Sequence, residues 1–387
     1  MVTVFEFLGE EAIENVITCL NYRVDKVVLF GHHEMILSQK ENTERFLKEL
    51  CGVKTVVFQP LSYSDMQSVL NKMRMEIDYE LEQGSDIYFD ITGGESLILV
   101  AFGMLSKEYK APIHMFDIPK GRLVEFDEGA ERSLSRNVCP HKVRLTLEKL
   151  IRMHGGTINH YLQKEIKDVS DKALQDDVDS LWQIVKAYPD HWNPFSEFLR
   201  GNMVPDEELM VYERLDTVIE ALAASATVLR SVKKLDEMID ALAAVGLVTD
   251  IVRTAEIYSF RFKNREVKEW IWEGGSILEL HTYLHEKENN EECVVGVHLD
   301  WDGFIHPQPG QDVVNEVDIL ALNGYIPTFI SCKSGKMSGM QILHALYELD
   351  TVAKRFGGRY AKKVLVTIRE PGEVHRERAE EMGIEIR

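Results

Sequence analysis

Asn315 to Gly335 reads N-E-V-D-I-L-A-L-N-G-Y-I-P-T-F-I-S-C-K-S-G. Two apolar runs meet at Asn323-Gly324, the strongest short-range signal for a hairpin, since a type I′ turn needs positive φ at both central residues. A two-residue turn there sets Leu322 opposite Tyr325, Asp318 opposite Phe329, Glu316 opposite Ser331 and Val314 opposite Lys333. Side chains alternate along strands, so Glu316, Asp318, Ser331 and Lys333 are predicted to share one face. Pro327 falls at a hydrogen-bonding position in this register, which predicts a bulge or an edge strand.

Two carboxylates and a lysine on adjacent strands suit metal-assisted phosphodiester hydrolysis. Hard oxygen donors hold Mg²⁺ or Mn²⁺, and a lysine offsets charge that builds in the transition state. The same residues also fit an ordinary strand pair with solvent-facing acids. Upstream, Gly274-Gly275 precedes the helical pattern S-I-L-E-L-H-T-Y-L. Glu279 stands three residues after Ser276, a capping-box spacing, so it either bonds the backbone or adds a third carboxylate to the hairpin. Val294–Leu299 reads as a strand before the hairpin. Met340–Phe356 and Gly372–Met382 read as helices, and Lys363–Ile368 and Ile384–Arg387 as strands. Between hairpin and helix, Gly335, Lys336 and Ser338 suit either a phosphate contact or a capped turn.

A chain of 387 residues calls for two or three domains. Hydrophobic content of 45% and charged content of 28% describe a globular protein, and no apolar run is long enough to span a bilayer. The formal net charge is -20, which argues against a generic polyanion binder; a nucleic acid would have to meet a local patch. Five scattered cysteines without a C-x-x-C pair indicate reduced thiols and a cytoplasmic location rather than a zinc site. The first residues, M-V-T-V-F-E-F-L-G, read as a strand and not as a signal peptide.

Residues 1 to about 140 alternate strands and helices. Strand-like runs are Val2–Leu8, Lys26–Gly31, Lys54–Gln59, Asp86–Ile91, Ile113–Ile118 and Leu123–Phe126. Helical runs are Ala12–Leu20, Asn42–Cys51, Ser64–Gln83 and Leu97–Tyr109. Such alternation predicts an open parallel α/β sheet of Rossmann type, with ligands at the carboxyl ends of its strands. Candidate loops are Gly9-Glu10-Glu11, Gly31-His32-His33 and Thr92-Gly93-Gly94-Glu95-Ser96. In the last, two glycines admit close backbone approach and a helix start offers free N–H groups to phosphate; a plain turn with Ser96 as N-cap fits as well. The loop is not G-x-G-x-x-G, so the dinucleotide fingerprint is missing.

Lys142–His154, Tyr161–Ile184, Asp206–Ala224 and Lys233–Val245 read as helices, and Leu247–Arg253 with Ile257–Lys263 as a hairpin. Helix, glycine and hairpin outline a winged helix. The mixed face of Lys233, Lys234, Asp236, Glu237 and Asp240 suits a structural connector or dimerisation element better than a DNA-reading helix.

With Glu279 on a helix, N-E-V-D at 315–318 and S-C-K at 331–333, the C-terminal part resembles the PD-(D/E)xK nuclease superfamily. The resemblance maps its acid-bearing strand to Asp318, its lysine to Lys333 and its helical glutamate to Glu279. It departs at Ser331, where the family carries a second acid; Glu316 and the backbone carbonyl of Cys332 are the substitutes it suggests as metal ligands. D-I-T-G-G-E-S at 90–96 resembles CARF domains, the cyclic-oligoadenylate sensors of type III CRISPR immunity. The whole chain looks similar to CRISPR-associated CARF nucleases. The resemblance implies a sensor domain at 1–140, a helical connector with a winged-helix element at 141–265 and a nuclease domain at 266–387. It further implies a prokaryotic homodimer that binds a cyclic oligoadenylate, with cyclic tetra-adenylate expected, through Gly9, His32, Thr92, Gly93, Gly94, Glu95 and Ser96. Such a protein cuts DNA, RNA or both with Mg²⁺ or Mn²⁺. Other readings are a ligand-responsive regulator with a degenerate nuclease fold, a nuclease with a vestigial sensor, and a sensor that cleaves its own ligand.

Overall fold

A computed structural model describes residues 1–62, 65–127, 130–133, 143–162, 171–306 and 314–387. The expected helix starts at Ser64 and Lys142, the 163–170 part of the helix expected over Tyr161–Ile184, and Cys139 lie outside the described residues.

The first elements are β1 (Val2–Phe7), α1 (Ile17–Asn21), β2 (Lys26–Gly31), α2 (His33–Glu49), β3 (Thr55–Pro60), α3 (Met66–Glu82), β4 (Asp86–Asp90), α4 (Ser96–Tyr109) and β5 (Ile113–Asp117), then β6 (Arg122–Asp127) and β7 (Ala130–Ser133). They build a seven-stranded sheet in the order β3-β2-β1-β4-β5-β6-β7. Pairing is parallel through β5 and antiparallel beyond it. Both faces are buried, as the continuous apolar runs require. Val4, Val27 and Leu29 pack to one side with Leu20 and Leu47, while Phe5, Val28, Phe30 and Phe89 pack to the other with Phe102 and Ile77. The strand order reverses between β1 and β4, so their carboxyl ends flank the crevice where such sheets bind ligands. Helix α2 begins nine residues before the expected Asn42. The polar run S-Q-K-E-N at 38–42 hid the period, yet Ile36, Thr43, Phe46 and Leu47 supply the buried stripe.

Next come α5 (Leu147–Met153), β8 (Thr157–Ile158), α6 (Lys172–Ala187), α7 (Trp192–Asn202), β9 (Met210–Arg214), α8 (Leu215–Ala224), α9 (Val232–Ala244), β10 (Val248–Arg253), β11 (Ile257–Phe262) and α10 (Arg265–Trp272). Strands β10-β11-β9 form a small antiparallel sheet against α8 and α9, a winged-helix layout around Trp192, Leu199, Leu235, Leu242 and Phe260. The charges of α9 are spent locally: Lys234 pairs with Glu237, and Arg253 with Asp236 and Asp240.

The last part holds α11 (Ser276–Asn289), β12 (Glu292–Asp300), β13 (Val314–Asn323), β14 (Ile326–Lys333), α12 (Gly339–Gly357), β15 (Lys362–Thr367), α13 (Glu373–Glu381) and β16 (Ile384–Ile386). Its sheet runs β16-β15-β14-β13-β12-β8, antiparallel from β8 to β14 and parallel from β14 to β16. The hairpin forms, but not in the expected register. Asn323 pairs with Ile326, Leu322 with Pro327 and Leu320 with Phe329, so the turn is Gly324-Tyr325. Gly324 alone takes a positive φ, 62°, as a glycine does in the first central position of a type II′ turn. Tyr325 is drawn inward: its hydroxyl donates to Asn21 Oδ1 at 2.8 Å, and its ring meets Phe116 edge-on at 5.3 Å in the N-terminal sheet. The slip moves Pro327 to a non-hydrogen-bonded pair at the start of an interior strand, so neither a bulge nor an edge is needed. A slip of two residues also preserves facing parity.

One apolar core joins the two large sheets. Val4, Leu20 and Leu47 belong to the same buried cluster as Leu150, Leu299, Leu320, Leu346 and Phe356.

Candidate functional site

Asp318 lies where the strand ladders are interrupted. Pairing of β12 with β13 skips Gly296 opposite Asp318, and Gly296 has φ 59°. Pairing of β13 with β14 ends at Ile319 and Ile330. The carboxylate fills the gap: Asp318 Oδ2 accepts the Cys332 N–H at 2.6 Å and the Ser331 hydroxyl at 3.1 Å, and Lys333 Nζ stands 3.9 Å away. Lys333 is the more exposed of that pair, at 37% against 14%. Glu279 stands in the first turn of α11, whose Leu278 packs with Ile330 and Cys332. Burial pushes the Cys332 thiol up, and the charges of Asp318 and Glu279 push it further. Asp318, Glu279 and Lys333 thus all bear electrostatically on the Cys332 thiol. Glu316 sits one step along β13, opposite His298 and exposed to solvent.

Two local expectations fail here. Ser276 is the first helical residue, with Gly275 at the N-cap and no side-chain cap, so no capping box engages Glu279. Gly275 lies beside Ser334, and a Cβ on it would stand 3.3 Å from the Ser334 hydroxyl oxygen. A complete capping box forms instead at Ser338 and Gln341, which makes Ser338 a cap. Among the described residues no three His, Cys, Asp or Glu side chains converge as a metal cage. The donors present are two carboxylates and main-chain oxygen, with one lysine close by. That hard-oxygen set fits a dication that keeps much of its water.

At the carboxyl ends of β1, β2 and β4 lies a cavity of about 1040 Å³, lined by Gly9, His32, Gly94 and Glu95 on one side and by Arg355 and Arg359 at the end of α12 on the other. His32 Nε2 and Glu95 Oε1 are 2.7 Å apart. Both groups of Gly9 are held by Asn15, through N–H to Oδ1 at 2.9 Å and Nδ2 to the carbonyl at 3.1 Å. Thr92 turns inward, where its hydroxyl accepts the Phe116 N–H at 2.8 Å. Gly93 is pressed on Glu14, since a Cβ there would stand 2.5 Å from Oε2. Gly94 has φ 132°, closed to other residues. Ser96 opens α4 as its first residue, with Glu95 at the N-cap.

Sequence reasoning missed Glu14, Arg359 and Tyr360. Glu14 is buried and pairs with Arg359, and the Tyr360 hydroxyl donates to it; Arg359 N–H donates to Glu11 at 2.8 Å. More than 340 residues separate these partners, and no local pattern marks them. Nor was His154 singled out. It is nine-tenths buried against Glu11 and Arg355, and burial holds its imidazole down at about 4.

The chain thus combines a Rossmann-like sheet with glycine loops at its switch point, a winged-helix connector, and a mixed sheet bearing Asp318 and Lys333 beside the Glu279 helix. Residues 268–387 match the family model of the Card1-like endonuclease domain. Over the whole chain the fold is similar to a crystal structure of protein VC1899 from Vibrio cholerae, at 16% identity and TM-score 0.68, covering 100% of this chain and 93% of that one. It is also similar to Can2 from Sulfobacillus thermosulfidooxidans, solved in complex with cyclic tetra-adenylate, at 15% identity and TM-score 0.64, covering 100% and 95%. No protein of curated function matches the sequence. Among the described residues no helix is long and apolar enough to cross a membrane.

Proposed function

We propose that the chain is a nuclease switched on by a cyclic oligoadenylate, with cyclic tetra-adenylate as the activator, acting as a homodimer in prokaryotic antiviral defence. The division of labour falls at residues 1–140 for sensing, 141–265 for connection and 266–387 for cleavage of DNA or RNA. The observation that carries this reading is that Asp318, Glu279 and Lys333 all bear electrostatically on the Cys332 thiol, inside the segment that matches an endonuclease domain. Glu279, Asp318 and the Cys332 carbonyl are the groups suited to hold Mg²⁺ or Mn²⁺, which supplies Lewis acidity to the phosphate and an acidified water. Lys333 Nζ, 3.9 Å from Asp318, sits where it neutralises charge gathering on the phosphate oxygens. Ser331 and the Cys332 N–H hold the Asp318 carboxylate in one orientation, so little reorganisation is needed during the reaction. The crevice between β1 and β4, with Gly9, His32, Gly94 and Glu95 on its rim, supports nucleotide binding there. A two-fold ligand across a symmetric interface is consistent with a homodimer.

The test is cleavage of plasmid DNA and of single-stranded RNA with and without cyclic tetra-adenylate, in Mg²⁺ and in Mn²⁺. Ligand-dependent cleavage is expected, and Asp318→Ala is expected to lose it by at least about a hundredfold. Absence of ligand-dependent cleavage of either substrate, or full activity in Asp318→Ala, sinks the proposal. Ser331 in place of an acid favours one other reading, a ligand-responsive binding protein; duplex binding without cutting in the same assay would support it.

A further inference from the structure

Helix α7 of the middle segment begins at the junction of the two elements that deliver the nuclease side chains. On one side is Gly274-Gly275, the entry to the Glu279 helix; on the other is Ser334-Gly335, the exit from the Lys333 strand. Trp192, fully buried, donates its indole N–H to the Gly274 carbonyl at 2.9 Å. A Cβ on Gly274 would stand 2.9 Å from Ser196 Oγ and 3.0 Å from Asn193 Oδ1, so α7 packs directly on that backbone. Asn193 Nδ2 reaches Ser334 Oγ at 3.5 Å and lies 3.4 Å from the Cβ position of Gly335. Gly275 and Ser334 touch each other, at 3.3 Å by the same measure. Three polar atoms at this one junction, Asn193 Oδ1, Ser196 Oγ and Ser276 Oγ, are buried without a hydrogen-bond partner among the described residues. Buried polar groups are seldom left so, and their clustering singles this junction out.

We propose that Asn193 is a positioning residue of the nuclease site. Its carboxamide, wedged between Gly274 and Ser334-Gly335, sets the spacing of Glu279 from Lys333. The middle segment thereby completes the nuclease site as well as linking it to the sensor. This inference rests on the function proposed above for the C-terminal domain.

The test compares Asn193→Leu, which keeps the branched outline, adds some bulk and removes the polar atoms, with Trp192→Phe, which removes the donor to Gly274 together with part of the buried ring system. In cleavage assays at saturating cyclic tetra-adenylate, Asn193→Leu is expected to lower kcat at least fivefold. KM and activator affinity should stay within twofold, and the melting temperature within two degrees. Amide hydrogen exchange, read without any substrate, should quicken at both 274–279 and 333–336 in Asn193→Leu, but only at 274–279 in Trp192→Phe. Unchanged exchange at either segment in Asn193→Leu overturns the proposal, as does a fall in kcat that merely tracks a lower melting temperature. A wild-type protein that cuts nothing would instead overturn the nuclease reading, and the exchange data would still judge the positioning claim.

Discussion

Ser331 occupies the position where an acid would complete a conventional nuclease pair, and its hydroxyl is spent on Asp318 Oδ2. Removing one hydrogen bond to a charged group costs about 1.5–3 kcal/mol. Because the Cys332 N–H also holds that oxygen, Ser331→Ala is expected to lower kcat only about three- to tenfold, without loss of fold, as single-turnover rates and melting curves would reveal. His154 makes a second prediction at this scale. Its native imidazole is held at about 4, whereas the ordinary value is 6.5. Between those values the unfolded chain binds a proton that the native chain refuses, so this contribution is intact above the upper value and drains away on acidification. It amounts to roughly 3 kcal/mol by linkage. Glu6 and Asp90 work in the opposite sense, since burial raises both carboxyls and favours the native state at low pH. Replacing His154 by Leu should therefore flatten or reverse the acid-side decline of melting temperature between about pH 6.5 and 4.

Elements were legible to different degrees. The parallel sheet was plain, because its strands are short continuous apolar runs and its helices α3 and α4 carry apolar residues along their length. The hairpin was legible as a hairpin, but its register was not: Asn-Gly chemistry favoured one turn, and docking of Tyr325 onto Phe116 and Asn21 selected the next. Capping logic failed at Ser276, because the helix starts one residue earlier than the capping pattern requires, with Gly275 at the N-cap. Glu279, Asp318 and Lys333 were candidates by spacing and were mapped by resemblance; Asn193, Glu14 and Arg359 went unmarked, because contacts made across long stretches of chain leave no periodic trace. The loop after β4 gives the prediction proper to this scale. A methyl group at Gly93 would strike Glu14, and one at Gly94 would meet Leu99 and Phe7 in a backbone conformation that L residues avoid. Gly93→Ala should weaken activator binding at least about tenfold in calorimetry while the sheet stays folded. Gly94→Ala should also lower stability by about 1–3 kcal/mol.

At the scale of the molecule, the N-terminal and C-terminal sheets are held together by a shared apolar core, by Tyr325 on Asn21 and Phe116, and by a polar latch. In the latch, Glu14 sits behind Gly93 and receives both Arg359 and the Tyr360 hydroxyl from the chain just after α12. A ligand that displaces the Gly93 loop must move Glu14, and with it this pair. If the latch favours the resting arrangement, Arg359→Ala should raise cleavage in the absence of activator. By reciprocity, activator should then bind more tightly, by the factor through which the resting state was disfavoured. Paired measurement of basal cleavage and activator affinity checks both, and a variant with neither change argues that coupling runs through the core alone.

Tyr325 and the short strand β8 carry a consequence for ancestry and engineering. The nuclease hairpin takes its register from a socket in the N-terminal sheet, and the nuclease sheet borrows its edge strand from Thr157–Ile158, ahead of the winged helix. A chimera spliced after the winged helix would inherit a hairpin without its socket and a sheet without its rim. An exchange of the N-terminal part must therefore carry Asn21, Phe116 and the 157–158 strand as a set with the hairpin they serve, or rebuild that seam residue by residue.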